Sequence, residues 1–246
     1  MRKIFFVIIV AIFAVSCSPA AKYFRTLTDG ETAAIKEAKK VWGQKTDAYR
    51  ILILTDSGNM VVRLYNQTPL HRDNFAAKVQ AGFYDSLLFH RIIKNFMIQG
   101  GDPQSKHATA SKMLGNGEAP GAKIPAEIRT DSGLYHKKGV LAAARDGNAA
   151  KASSNCQFYI AQGKIYTPAE LEAAARSRGY SLTPAQQALY TTVGGIPHLD
   201  NSYTVFGELE SGLAVLDKIA AAKTAPGDRP LADIRMKMFV VSQLKK

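Results

Sequence analysis

Apolar and polar positions divide the chain into three stretches. An unbroken apolar run, Ile4 to Val15, comes first and follows Arg2 and Lys3. A short stretch with helical spacing is next. Thr28-Asp29-Gly30-Glu31 has the capping-box pattern, Ala33, Ala34, Ala38, Val41 and Trp42 recur after it, and Gly43 supplies a stop. From Tyr49 the period becomes that of strands. Tyr49–Thr55 and Met60–Tyr65 flank the turn signal Asp56-Ser57-Gly58 and predict a β-hairpin. Thr68-Pro69 then opens a helix that Gly82 closes. Phe89–Ile93 and Phe96–Gln99 predict a second pair of strands, ended by Gly100-Gly101-Asp102-Pro103.

Residues 103–123 are rich in Gly, Lys, Ser and Ala without period, which predicts a long surface loop. Ile124–Ile128 contains Pro125 and reads as a short edge strand. Gly139–Arg145, Gln157–Ala161 and Thr204–Leu209 predict further strands, Gly212–Ala222 a helix and Asp233–Leu244 a closing strand. Between Ala161 and Pro197, Thr167-Pro168-Ala169-Glu170 and Thr183-Pro184-Ala185-Gln186 each combine a capping box with Pro at the first helical position. They predict a helical hairpin, residues 163–196, inserted into a mainly β domain spanning 49–246. Residues 17–48 form a tether with one helix, and the spacing does not say whether that helix packs on the domain.

Of the bulk properties, only the charge and the cysteines change this picture. Thirty-two basic and 20 acidic residues give a net charge of +12. No dense Lys/Arg block accompanies it, so the charge reads as a solvated surface and no nucleic-acid partner is expected. The basic start, the apolar run and Ser16 before Cys17 have the form of a cleaved secretory signal over residues 1–16. The run is short for a transmembrane helix. Ala14-Val15-Ser16-Cys17 is similar to a bacterial lipobox, with Ala14 where Leu is usual. Cys17 is thereby the expected lipidation site, giving a lipid-anchored envelope protein on the periplasmic side. With Cys17 lipidated, Cys156 has no partner and is expected to be buried as a small hydrophobe.

The candidate chemistry lies in residues 89–102. Arg91 is a permanent cation close to Phe96, Met97 and the amide of Gln99. In a strand–turn–strand, Arg91, Met97 and Gln99 face one way. A fixed donor beside an apolar floor suits a ligand that is half apolar and half carbonyl. His71, His90, His107, His136 and His198 show no close ligand spacing, so no metal or cofactor is expected. Ser153-Ser154 has no nucleophile-elbow context, which argues against a hydrolase.

The run Phe89-His90-Arg91-Ile92-Ile93 … Phe96-Met97-Ile98-Gln99-Gly100-Gly101-Asp102 resembles the signature of the cyclophilin family of peptidyl-prolyl cis/trans isomerases. Ile124–Glu127, Gly139–Arg145, Gln157–Ile160 and Leu199-Asp200 … Val205-Phe206-Gly207 are similar to further blocks of that family, in the same order. The resemblance implies a closed eight-stranded antiparallel barrel capped by two helices, acting as a monomer on proline-containing polypeptides. It implies that Arg91 is the catalytic arginine and that Phe96, Met97, Tyr159 and Leu199 line the proline pocket. Gln99 and the backbone around Ala144 and Arg145 would hold the substrate chain, with His90 beside the arginine and Tyr203 at the rim.

Three positions depart from the family pattern. Tyr159 stands where many members have Phe, so its hydroxyl needs a partner if buried. His198 stands where some members have a Trp associated with cyclosporin binding, and Tyr203 where animal members often have His. Together they imply a bacterial-type enzyme with weak cyclosporin sensitivity. The alternative from another class is a non-catalytic module that binds proline-containing segments during envelope assembly.

Overall fold

The computed structural model describes residues 26–245. The signal-peptide reading of residues 1–16, the lipidation site Cys17 and the first part of the tether lie outside the described residues. The first element is helix α1 (Asp29–Trp42). Its start is the expected capping box: Thr28 Oγ1 accepts the Glu31 N–H, and Glu31 Oε2 accepts the Thr28 N–H at 2.9 Å. Strands β1 (Arg50–Thr55) and β2 (Gly58–Leu64) form the first hairpin, and helix α2 (Pro69–Gln80) follows. Then come β3 (Phe89–Ile93), β4 (Met97–Gly100), β5 (Val140–Ala143) and β6 (Phe158–Ala161). Helices α3 (Pro168–Arg178) and α4 (Pro184–Thr192) form the inserted hairpin, both with the capping boxes read from sequence. The chain ends with β7 (Val205–Ser211), α5 (Leu213–Ala220) and β8 (Met236–Ser242).

The eight strands make one antiparallel sheet in the order β3-β4-β6-β5-β7-β2-β1-β8. It is an antiparallel half-barrel. The expectation of a closed barrel is met in strand number and direction, not in a continuous ladder between the end strands. β3 and β8 are joined by one isolated bridge, Leu88–Arg235, with the Phe89 N–H donating to Ile234 O and the Met236 N–H to Leu87 O, both at 2.9 Å.

Strand alternation sorts side chains to two faces. Inside, Ile51, Ile53, Val62, Leu64, Ile98 and Ile160 pack with Phe75, Ala76 and Val79 of α2 and with Leu216 and Ile219 of α5. Outside, Leu52, Leu54, Val61 and Val241 pack with Ala34, Ile35, Ala38 and Trp42 of α1. β1 is therefore covered on both faces, which is why its sequence is a continuous apolar run rather than an alternating one. The tether helix is packed onto the sheet. A third apolar cluster, including Met97, Ala142, Tyr159 and Val205, occupies the outer face of β4, β6, β5 and β7.

One local expectation is corrected and two are refined. Ile124–Ile128 is not a strand: it makes only an isolated bridge between Ile124 and Ser153. Thr68 sits at the N-cap of α2 without a side-chain cap bond, and Glu127 supplies the acceptors instead. The 103–123 loop is pinned at 115–117 by the buried Asp102 carboxylate, which accepts the N–H groups of Gly115 (2.6 Å) and Gly117 (3.2 Å). The base of the inserted hairpin is held by bridges from Gly195 to Lys137 and to Lys164. Gly195 is required there: its φ is +148°, and a Cβ would lie 2.2 Å from His136 O.

Candidate active site

Cross-strand register places the candidate residues in a row. Arg91 on β3 lies opposite Gln99 on β4, Gln99 opposite Tyr159 on β6, and Tyr159 opposite Ala142 on β5. Residues paired in this way share a face of the sheet. Met97, two residues from Gln99, shares that face, and the tight β3–β4 turn brings in Phe96. Asn95 in that turn has φ +61°, and its N–H donates to Gln162 Oε1 at 2.6 Å. The result is a cavity of about 190 Å3. Met97 and Tyr159, both buried, form its floor; Phe96, Leu199 and Tyr203 form its walls; Arg91, Gln99, Ala144 and Arg145 form its rim.

Of the expected substrate-binding residues, only His90 is not in this cavity. It is the extra residue where the β3–β4 register shifts between Phe89 and Arg91. Such a bulge breaks the two-residue period and redirects one side chain. His90 instead borders an adjoining hollow of about 340 Å3, which shares Arg91 with the cavity and extends to Arg229 and residues 110–114. Burial is the main cause that pushes its pKa down to about 4.

Arg91 is held loosely. Its Nε is 3.3 Å from Asp228 Oδ2 and its Nη1 donates to Gln99 Oε1 at 3.4 Å; its side chain is 41% exposed. Among the described residues Nη2 has no protein acceptor, so it is available to a ligand. Gln99 Nε2 donates to Gln157 Oε1 at 3.1 Å, and Gln157 Nε2 donates to the carbonyls of Gly115 (2.9 Å) and Gly117 (2.7 Å). The rim is thus tied to the loop that Asp102 pins. On the opposite rim the Ala144 N–H is already engaged by Gln157 O, and Ala144 O accepts the Ser154 N–H. The Arg145 guanidinium donates to the carbonyls of Ser202 and Asp146, both at 2.8 Å, and stacks over Tyr203 at 4.7 Å.

The aromatic departures have partners. The Tyr159 hydroxyl meets His136 Nε2 at 2.9 Å, and burial, the largest cause, raises the Tyr159 pKa well above that of a free phenol. His198 stacks on Phe96 with centroids 5.6 Å apart, and its pKa is pushed down to about 4, first by burial and then by Arg178. Asp228, Gln157, Asp102, His136 and Asp200 were not singled out as site residues from sequence. Only the buried hydroxyl of Tyr159 signalled that a polar partner had to exist.

A second constellation has the contacts of a hydrolytic triad. Ser153 Oγ is 2.9 Å from His71 Nε2, and His71 Nδ1 is 2.7 Å from Glu127 Oε2. All three residues are buried, Ser153 to 1% exposure, so no substrate reaches the hydroxyl. Glu127 also accepts the N–H groups of Leu70 (3.1 Å) and His71 (3.0 Å), satisfying orphan donors at the start of α2. This is a structural clamp. Burial lowers the His71 pKa against the opposing pull of Glu127.

Residues 50–241 match the family described as cyclophilin type peptidyl-prolyl cis-trans isomerase/CLD, and the chain belongs to that family. It is 33% identical over 195 residues to a Staphylococcus aureus protein assigned by name to the peptidyl-prolyl cis-trans isomerases; the match covers 79% of this chain and 92% of that one. It is 37% identical over 190 residues to a Streptococcus pyogenes protein named for both phosphatase and peptidyl-prolyl cis-trans isomerase activities. That match covers 75% of this chain and 37% of the Streptococcus protein's length. A crystal structure of a Cryptosporidium parvum cyclophilin type isomerase superposes with a TM-score of 0.58 at 24% identity, covering 78% of this chain and 97% of that one. The same protein solved in the presence of the dipeptide Ala-Pro gives 0.57.

Proposed function

We propose that the chain accelerates cis/trans isomerisation of X–Pro bonds in exported proteins, with Arg91 as the catalytic residue. The observation that carries this is the row that sets the Arg91 guanidinium against an apolar cavity floored by Met97 and Tyr159. The partial double bond of an amide gives a barrier of roughly 18–20 kcal/mol. Uncatalysed X–Pro exchange takes on the order of tens to hundreds of seconds. Millisecond turnover needs about 5.5–7 kcal/mol off that barrier. No covalent bond is broken, so neither nucleophile nor cofactor is needed.

In the twisted transition state, amide resonance is lost and the proline nitrogen becomes pyramidal and basic. A guanidinium donating to that nitrogen or to the adjacent carbonyl stabilises the twisted state more than either planar one. Arg91 Nη2 has the free donor for this. The apolar floor holds the pyrrolidine ring while the preceding residue rotates, and Gln99 and the Arg145 backbone flank the chain. The Ala-Pro dipeptide used with the Cryptosporidium relative is of the class this cavity suits. The Leu88–Arg235 seam serves in this reading as the closure of the barrel. The N-terminal apolar run and Cys17 support an envelope location with a lipid anchor, where the clients would be exported chains.

The test is a coupled isomerisation assay on a Pro-containing peptide with the purified protein and its Arg91→Ala variant. One charge-assisted donor is worth about 1.5–3 kcal/mol, so the variant is expected to lose about 10- to 160-fold in turnover while folding normally. Unchanged turnover removes Arg91 from the mechanism. Saturable peptide binding by the wild type without turnover identifies a binding module instead.

A further inference from the structure

Behind the cavity, Tyr159 begins a buried polar chain that ends on the inserted hairpin. Its hydroxyl meets His136 Nε2, and His136 Nδ1 lies 3.0 Å from Asp200 Oδ1. The same oxygen accepts the His136 backbone N–H at 2.8 Å. Asp200 Oδ2 accepts from the Tyr190 hydroxyl at 2.7 Å and from Gln186 Nε2 at 2.8 Å. Tyr190 and Gln186 lie on α4, and every member of the chain is buried. An ionised carboxylate only accepts, so Nδ1 of His136 is the nitrogen that donates to Asp200, and in the matching tautomer Nε2 accepts from the Tyr159 hydroxyl.

A Phe at position 159 would need none of this. The hydroxyl commits the cavity floor to a polar partner in a buried place, where an unpaired group is costly. Within that network, both donors to Asp200 Oδ2 come from the inserted segment. Removing α4 leaves half of that buried carboxylate unpaired. The hairpin also reaches the cavity wall electrostatically: the Arg178 charge at the end of α3 helps lower the pKa of His198, which stacks on Phe96.

We propose that the inserted hairpin sets the back wall of the proline cavity, with Tyr190 and Gln186 as positioning residues that fix Tyr159 through Asp200 and His136. The proposal rests on the isomerase reading of that cavity and extends it to the element that tunes substrate binding. The His136–Tyr159 ring planes are 14° apart with centroids at 6.1 Å, so a shift of the imidazole carries the phenol with it. Arg91 lies outside the chain, and a disturbance on α4 is expected in binding rather than in the chemical step.

The experiment is a double-mutant cycle of Tyr190→Phe and Tyr159→Phe on KM, kcat and the dissociation constant of a Pro-containing peptide. Tyr190→Phe alone should raise KM about three- to tenfold, roughly one hydrogen bond's worth of binding, with kcat within about twofold. In the Tyr159→Phe background, the same substitution should move KM by less than about twofold. Equal effects in both backgrounds, or no effect in either, overturn the proposal. Gln186→Leu repeats the cycle if Tyr190→Phe does not fold. Nitrogen-15 spectra of the wild type need no substitution: Nδ1 protonated and Nε2 unprotonated is expected, and the reverse tautomer overturns the chain. If the wild type binds peptide without turnover, the isomerase reading fails, while the cycle on the dissociation constant still decides the coupling.

Discussion

Glu127→Ala separates structural from catalytic use of the Ser153–His71–Glu127 constellation. The carboxylate accepts three donors: the N–H groups of Leu70 and His71, and His71 Nδ1. Leu70 is 51% exposed, so water can take over its N–H, whereas His71 is 2% exposed and leaves two donors unpaired. Each unsatisfied buried group costs about 1–3 kcal/mol. Loss of a negative charge at the start of α2 adds about 0.3–1 kcal/mol. The expected destabilisation is therefore about 2–7 kcal/mol, a large part of the roughly 5–15 kcal/mol typical of a domain. Glu127→Gln retains one acceptor oxygen and should cost about 1–3 kcal/mol. Urea unfolding of both variants reads this directly, as a lower midpoint with an unchanged slope. Isomerase turnover per folded molecule should stay within about twofold for Glu127→Gln. A loss below about 1 kcal/mol for Glu127→Ala, or ester hydrolysis by the wild type that Ser153→Ala abolishes, would refute the structural assignment.

Two further outcomes follow from burial. His90 and His198 have pKa values lowered from 6.5 to about 4, so the unfolded chain binds protons that the folded one refuses. Stability should be fully present above about pH 6.5 and fall as pH drops toward 4, with a share of about 3 kcal/mol that His90→Gln removes; a urea midpoint that rises on acidification contradicts this. Gly195→Ala forces a Cβ to 2.2 Å from His136 O and 2.8 Å from the Lys137 Cα, and should lower the melting temperature and raise KM as the hairpin base shifts.

What spacing and caps showed in the sequence was local, whereas the joining of Tyr159, Leu199 and Tyr203 to Arg91 came from the family resemblance alone. Arg91, Met97 and Gln99 share a face because a hairpin fixes their relative phase within nine residues, and Phe96 follows from the turn between them. The capping boxes at Thr167 and Thr183 placed α3 and α4 because both partners lie within one helical turn. His90, in the same stretch, is turned out of the cavity by a bulge that leaves no mark in the residue types. The capping of α2 by Glu127 was invisible for another reason: Thr68-Pro69 is a sufficient local signal, and the acceptor used comes from 57 residues away. His136 and Asp200 are 64 residues apart, and neither has a neighbour that hints at the other. Asp228 reaches Arg91 across 137 residues. Polar partners gathered by topology carry no period.

The packing of α1 on β1 and β8 has a consequence for orientation. Along the sheet, β1 is four strands from β6, which carries Tyr159. The C-terminal end returns to the same flank, where the Lys245 N–H donates to Thr46 O at 3.1 Å. Both ends of the described chain therefore leave from the side where α1 is docked. Attachment at either end would then act on that flank, apart from the strands that carry the floor of the cavity.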